Sequence, residues 1–347
     1  MEGGVRVGLA WLRLLGPTST TRLVRLSTRT CATTVNRYND RDPAPVFFNK
    51  NVQEILKKIN ELDFNKVFRQ RFDGTQLKPP RYEFLTNEEL EEHFEKSKKA
   101  SEKILQMPPV VKERQPILDV LSKDPGLTGY DTCKYVFTDI TYGLSDRKRP
   151  IVVRDPDGTL RKASFEERER MNQIYNPRPG RKLKPHKLFL EEHLQGVLER
   201  EKYEFVLDCA CAQFEPDDPE YQRVTSTVYE TVEARRHYHM LNSTRHYGPM
   251  CFYLAWHKKI DNLLISLLQK EKLEACADMV KLHQLIHTDC KTTTLNVDPN
   301  QHLDFLKAYI EHGSLQRPQL LLAMQAYQDI VREREQYEKD VRSAHGV

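Results

Sequence analysis

The chain has 347 residues, 30% of them charged and 39% hydrophobic, with 54 basic against 50 acidic side chains. That length suggests two or three domains with ample apolar content for a core. No apolar run approaches the roughly 20 residues that a membrane span needs, so a soluble protein is expected.

Residues 1–36 read as an address, not as part of the fold. They carry Arg6, Arg13, Arg22, Arg25 and Arg29, many Ser and Thr, and the single acid Glu2, while Trp11, Leu12, Leu14 and Leu15 supply an apolar face. Arg-rich, Ser-rich and acid-poor is the composition of a mitochondrial transit peptide, with cleavage expected between Leu26 and Val35. Removing those five Arg and one Glu leaves 49 basic and 49 acidic residues. A protein that coats itself in nucleic acid shows a basic excess. This mature chain is formally neutral, so RNA contact has to be local and protein partners are favoured. The seven Cys lie at irregular spacings. Cys209 and Cys211 are too close for zinc-knuckle geometry, and buried free thiols are expected.

Residues 37–131 form an N-terminal helical region with extended linkers. Val52, Ile55, Leu56, Ile59 and Leu62 recur at helical spacing, and residues 77–82 read as an extended linker. Thr86 and Glu89 make a capping box. It opens a helix to about Gln106 that is almost entirely charged, with Leu90, Phe94, Ile104 and Leu105 as its few apolar positions. Such a helix is either solvated or a strut lying across a neighbour. Residues 116–121 read as a short helix or turn.

Residues 132–187 read as a small β-meander with a helix and a basic tether. Strands are expected over 134–144, 151–154 and 159–163, with turns at 145–148 and at Asp155-Pro156-Asp157-Gly158. Ser164 and Glu167 form a second capping box, starting a helix that stops near Tyr175. The turns and strand ends carry Arg147, Lys148, Arg149, Arg154, Arg161 and Lys162. A Pro-interrupted tether follows with Arg178, Arg181, Lys182, Lys184 and Lys187. Closely spaced cations on extended chain match phosphates without needing a groove. The same residues equally fit a solvated rim.

Residues 188–347 read as an irregular array of α-helical hairpins. Asp218 caps a helix with Pro219 at its first position, and Tyr221, Val224, Val228 and Val232 form its stripe. One helix is expected over 249–268, with a bend at 269–270. Gly313 ends a later helix and Pro318 opens the last. No strict period near 34 residues repeats. The expected class is therefore α+β, predominantly α, with a small antiparallel sheet and capped helix ahead of the hairpin array.

No spacing selects a catalytic set, and no phosphate loop, dinucleotide turn or nucleophile elbow occurs. His283 and His287 stand at i, i+4 with Cys290 beyond, but no fourth ligand is near. Neither enzyme activity nor a metal or cofactor is expected.

Longer strings carry more information: LKPPRYEF at 77–84, MPPVVKERQPILDVL at 107–121, KYVFTDITYG at 134–143, IVVRDPDGTLRKASFEERERM at 151–171, AQFEPDDPEY at 212–221, STRHYGPM at 243–250 and KKIDNLLI at 258–265. Through them the chain resembles a mitochondrion-specific family of animals, the mitochondrial small-subunit ribosomal proteins numbered twenty-two. The resemblance spans about residues 46–335. It implies a structural component of the small ribosomal subunit in the mitochondrial matrix, without catalysis. It also implies neighbours that are mainly mitochondrion-specific proteins, together with small-subunit rRNA. Two other classes stay open: a helical-repeat RNA-processing or ribosome-assembly factor, and a matrix enzyme using Cys209, Cys211 or the His283 pair.

Overall fold

The computed structural model describes residues 38, 41–69, 79, 82–129, 132–287 and 302–345. The segment read as a transit peptide, its expected cleavage site, most of the 77–82 linker and Cys290 lie outside the described residues. By contacts the chain divides into 1–34 and 35–347, and all the described residues lie in the second unit. Helices α1 (Ala44–Phe47), α2 (Lys50–Ile59), α3 (Phe64–Val67) and α4 (Asn87–Ile104) come first. Strands β1 (Val120–Lys123), β2 (Tyr135–Thr138), β3 (Ile151–Arg154) and β4 (Thr159–Lys162) lead into α5 (Phe165–Tyr175). Then come α6 (Glu191–Glu199), α7 (Tyr203–Gln213), α8 (Pro219–Arg235), α9 (Tyr247–Trp256), α10 (Asp261–Gln269), α11 (Leu273–Ile286), α12 (His302–His312) and α13 (Arg317–His345). The class is α+β and predominantly helical, as expected.

The sheet is antiparallel, in the order β1-β4-β3-β2. Its fourth member, β1, corrects the reading of 116–121 as a helix or turn. All four β1 residues are exposed, so no alternation marks the strand. Its partner is remote in sequence, with Lys123 opposite Thr159. Strand β2 is shorter than expected because Asp139 turns the chain, its carboxylate accepting from the Thr141 amide at 2.8 Å. The β3–β4 turn needs glycine. Gly158 has φ +80°, and a Cβ there would lie 2.0 Å from the Asp124 carbonyl oxygen.

Two cores result. A small one packs Val136, Ile151, Val153 and Ala163 of the sheet onto Met171 of α5. The large one unites the hairpin array with α2, whose Val52, Leu56 and Ile59 pack in the same cluster as residues of α9 and α11. Every residue of α9 is buried, as befits a helix that is apolar all round. The helix expected over 249–268 is two, α9 and α10. Lys258 breaks it with φ +57°, and Glu271 at φ +58° reverses the chain after α10. Lys and Glu rarely adopt this conformation, and no Gly or Pro marks the break at Lys258, while the turn at Glu271 falls beside the bend expected at 269–270. Both expected capping boxes are present, at Thr86 and Ser164. Helix α4 is largely solvated and touches α3, with Phe94 edge-on to Phe64 at 5.0 Å.

Candidate nucleic-acid interface

The basic segments are where sequence points to phosphate, and the structure divides them sharply. Three of the cations converge on one carboxylate at the end of α7. Arg178 donates to Glu215 at 2.6 Å and Arg181 at 3.0 Å, and Arg147 approaches it at 3.6 Å. Arg178 also pairs with Asp146, and Arg147 with Asp217. Burial alone would raise the Glu215 pKa, but Arg181, Arg178 and Arg147 more than offset it and hold the carboxyl below its usual range.

One other is internal. Arg149 is 4% exposed, and its guanidinium donates to the carbonyls of Asp139, Thr141 and Leu144. Arg168, which no sequence signal singles out, donates to the carbonyls of Asp146, Arg147 and Arg149. Together they shape the 139–149 loop. Arg161 is held by Asp155 at 2.7 Å and Glu167 at 2.8 Å, tying the β3–β4 turn to the start of α5. Its hydrogen bond is the main reason the Glu167 carboxyl lies well below the usual range, against a smaller opposing effect of burial. The basic rim expected from the sequence therefore loses Arg149, which is buried, while the partly exposed Arg161 is neutralised by Asp155 and Glu167.

A further arginine joins the two cores. Arg114 donates at 2.8 Å to Glu169 of α5 and also to Asp218, the cap of α8, and its guanidinium lies 4.3 Å over the Phe165 ring. Nothing in the local sequence marks Arg114, because its partners are 55 and 104 residues away.

The rest of the candidate cations face solvent. Lys148, Arg154, Lys182, Lys184 and Lys187 are exposed and have no ion pair among the described residues. Lys162 pairs with Asp119 at 2.6 Å, but both are more than half exposed, and such a pair holds weakly. The tether backbone is pinned where Lys182 exchanges two hydrogen bonds with Gln213 of α7.

The other candidate chemistry disperses. Among the described residues no group of three or more His, Cys, Asp or Glu is placed to hold a metal ion. Burial pushes the Cys276 thiol up to about 12 and raises Cys211 as well, the opposite of what a nucleophile needs. His283 is buried 4.8 Å from His287, and burial, then His287 and Lys258, lowers its pKa to about 4. The unfolded imidazole titrates near 6.5 and the folded one near 4, so between these values the unfolded chain binds more protons. Stability is complete above about pH 6.5 and falls on acidification towards pH 4, by about 3 kcal/mol from this residue. His283→Gln is expected to flatten that part of a melting-temperature series between pH 7 and 4.5. Parallel wild-type and variant curves would assign the acid sensitivity elsewhere.

A profile of the family described as Mitochondrial 28S ribosomal protein S22 matches residues 45–288. The chain belongs to this family. The match begins within α1, ends just beyond α11, and takes in the sheet, the tether and the Arg114 junction. Among similar proteins, the Small ribosomal subunit protein mS22 of Mus musculus is 41% identical over 288 residues, covering 83% of this chain and 80% of its own length. The protein of that name from Bos taurus is 41% identical over 286 residues, covering 82% and 79%. Membership of the S22 family gives the chain a structural role in the small subunit of the mitochondrial ribosome, and with it a place in the mitochondrial matrix. Among the described residues, no helix is long and apolar enough to cross a membrane.

Proposed function

We propose that this chain is a non-catalytic scaffold of the mitochondrial small subunit, with the hairpin array holding neighbouring proteins and exposed cations meeting rRNA phosphates. Carrying the reading is the family match, which extends across both cores and the junction between them. The phosphate contacts fall to Lys148, Lys182, Lys184 and Lys187, since their charges are not neutralised by a carboxylate among the described residues. Arg147, Arg178 and Arg181 instead fasten the β-module to α7 and set the path of the tether that carries those lysines.

Changing Lys148, Lys182, Lys184 and Lys187 together to Ala is expected to reduce the salt slope of association with rRNA-containing particles by up to about 3 units, at roughly 0.7–0.9 per phosphate contact. Helix content by circular dichroism stays unchanged. Identical salt curves for wild type and variant would return these lysines to the solvated rim. Loss of the wild-type chain from small subunits washed in high salt would favour a transient assembly factor over a resident protein.

A further inference from the structure

The sheet covers α5 with one face only, and the register defines what the other face presents. Val136 and Val153 are partners on the packed side. Side chains alternate along each strand, so the neighbouring pairs, Tyr135 with Arg154 and Phe137 with Val152, lie on the open side. Strand β4 extends both rows, placing Leu160 beside Arg154 and Lys162 beside Val152. The open face is therefore Phe137–Val152–Lys162 in one row and Tyr135–Arg154–Leu160 in the next. Tyr135 is 46% and Phe137 51% exposed; exposed Arg154 stands beside Tyr135, and exposed Lys162, paired with Asp119, lies one strand beyond Val152 from Phe137.

Two large, half-exposed rings on an edge strand leave apolar surface to cover, and such an edge invites pairing with other chains. Val152 and Leu160 lie in the same rows, but the exposed guanidinium of Arg154 stands directly beside Tyr135, and Lys162 closes the row of Phe137. Aromatic rings flanked by cations suit a partner that is flat, apolar on its faces and anionic at its edges. Unpaired nucleotides have that chemistry: bases stack on aromatic side chains while phosphates meet cations. Residues two apart on a strand are about 6.8 Å apart, twice the rise of about 3.4 Å between nucleotides stacked in one strand. Rings so spaced seat bases that have left a continuous stack. A duplex, with its bases turned inward, offers the rings nothing.

We propose that Tyr135, Phe137, Arg154 and Lys162 form a platform for single-stranded RNA, with two unpaired bases stacked on the rings and flanking phosphates on the cations. This rests on the ribosomal reading for which RNA is present, and is independent of the tether lysines. Stacking is sequence-tolerant, so the platform selects unpaired over paired RNA without selecting a base.

The test titrates the full chain with a labelled mixed-sequence single-stranded RNA of about 10 nucleotides, within the usual site sizes, and with a duplex of equal length. Tyr135→Ala with Phe137→Ala is expected to weaken single-strand binding by at least about tenfold and to leave duplex binding unchanged. The ring-conserving pair Tyr135→Phe and Phe137→Tyr retains it. Arg154→Gln with Lys162→Gln is expected to lower the single-strand salt slope by about 1.4 units, at about 0.7 per contact. Circular dichroism of each variant checks the fold. Absence of single-strand binding by the wild type, or equal binding by the Ala pair, overturns the platform. So does an Ala pair that keeps its RNA affinity but leaves the small subunit, because the face then covers a protein. The ribosomal reading fails on a separate result, the absence of the wild-type chain from salt-washed small subunits.

Discussion

Asp261→Ala is expected to loosen the end of the hairpin array by about 3–5 kcal/mol, near the upper end for one substitution. The carboxylate is buried at the first turn of α10. One oxygen accepts from the Tyr309 hydroxyl of α12 at 2.8 Å. The other accepts from the Ser314 hydroxyl at 2.9 Å and from the amides of Leu315 and Gln316 at 2.8 and 3.0 Å. A single side chain thus joins α10, α12 and the turn that starts α13. Its negative charge also suits the N-terminal end of its own helix. Truncation removes the shared acceptor of four donors. A donor left buried and unsatisfied costs about 1–3 kcal/mol, while the Gln316 amide keeps the Ser314 hydroxyl at 3.0 Å and water entering the gap recovers part of the rest. Asp261→Asn keeps one acceptor oxygen but turns an NH2 towards donors, so about half the loss is expected. Because Leu320 and Met324 of α13 complete the core, the effect is local. Hydrogen exchange is the measurement: the α13 amides should lose protection while those of α9 keep theirs. Equal protection of α13 in wild type and Asp261→Ala would mean that apolar packing alone holds the hairpin.

How much of this was legible in sequence depended on range. The capping boxes at Thr86 and Ser164, the Asp218–Pro219 start of α8 and the Asp155–Gly158 turn are all set within four residues, and each was readable. Strand β1 was not, because its pairing with β4 is remote and its exposed side chains follow no period. The break at Lys258 was hidden because a residue that normally avoids positive φ occupies it, whereas the turn at Glu271 lies beside the bend expected at 269–270. The basic segments show the same limit more sharply. A sequence displays the cations at Arg147, Arg178 and Arg181 but not that the chain returns Glu215 to meet them. The near-neutral composition was the one global hint, since a balanced chain holds enough carboxylates to neutralise its arginines internally. The open sheet face was half visible: strand propensity picked out Tyr135 and Phe137, but only the register sets Arg154 and Lys162 beside them.

Arg114→Ala is expected to release the β-module from the array at a cost of about 3–4 kcal/mol. The side chain is nearly buried, as is that of Asp218, with Glu169 about a third exposed. Removing one member of a buried charge network leaves its partners uncompensated, which typically costs about 3–5 kcal/mol, and the partial exposure of Glu169 places this case towards the low end. Burial already raises the pKa of both Glu169 and Asp218, with Arg114 pulling the other way. Without Arg114 both carboxyls rise further above their unfolded values. Their folded forms then bind protons before the unfolded chain does, so the variant should gain stability relative to wild type as pH falls from 7 towards 5. A surface or purely packing role for Arg114 gives no such recovery. Limited proteolysis within 108–118 and 176–187 at both pH values reads the junction directly. Cleavage of Arg114→Ala that is fast at pH 7 and slower at pH 5 supports the ion-pair junction. Cleavage equal to wild type at pH 7 would show that the Gln222 bond to the Val111 carbonyl, 2.8 Å long, and the Glu215 cluster hold the modules together without it.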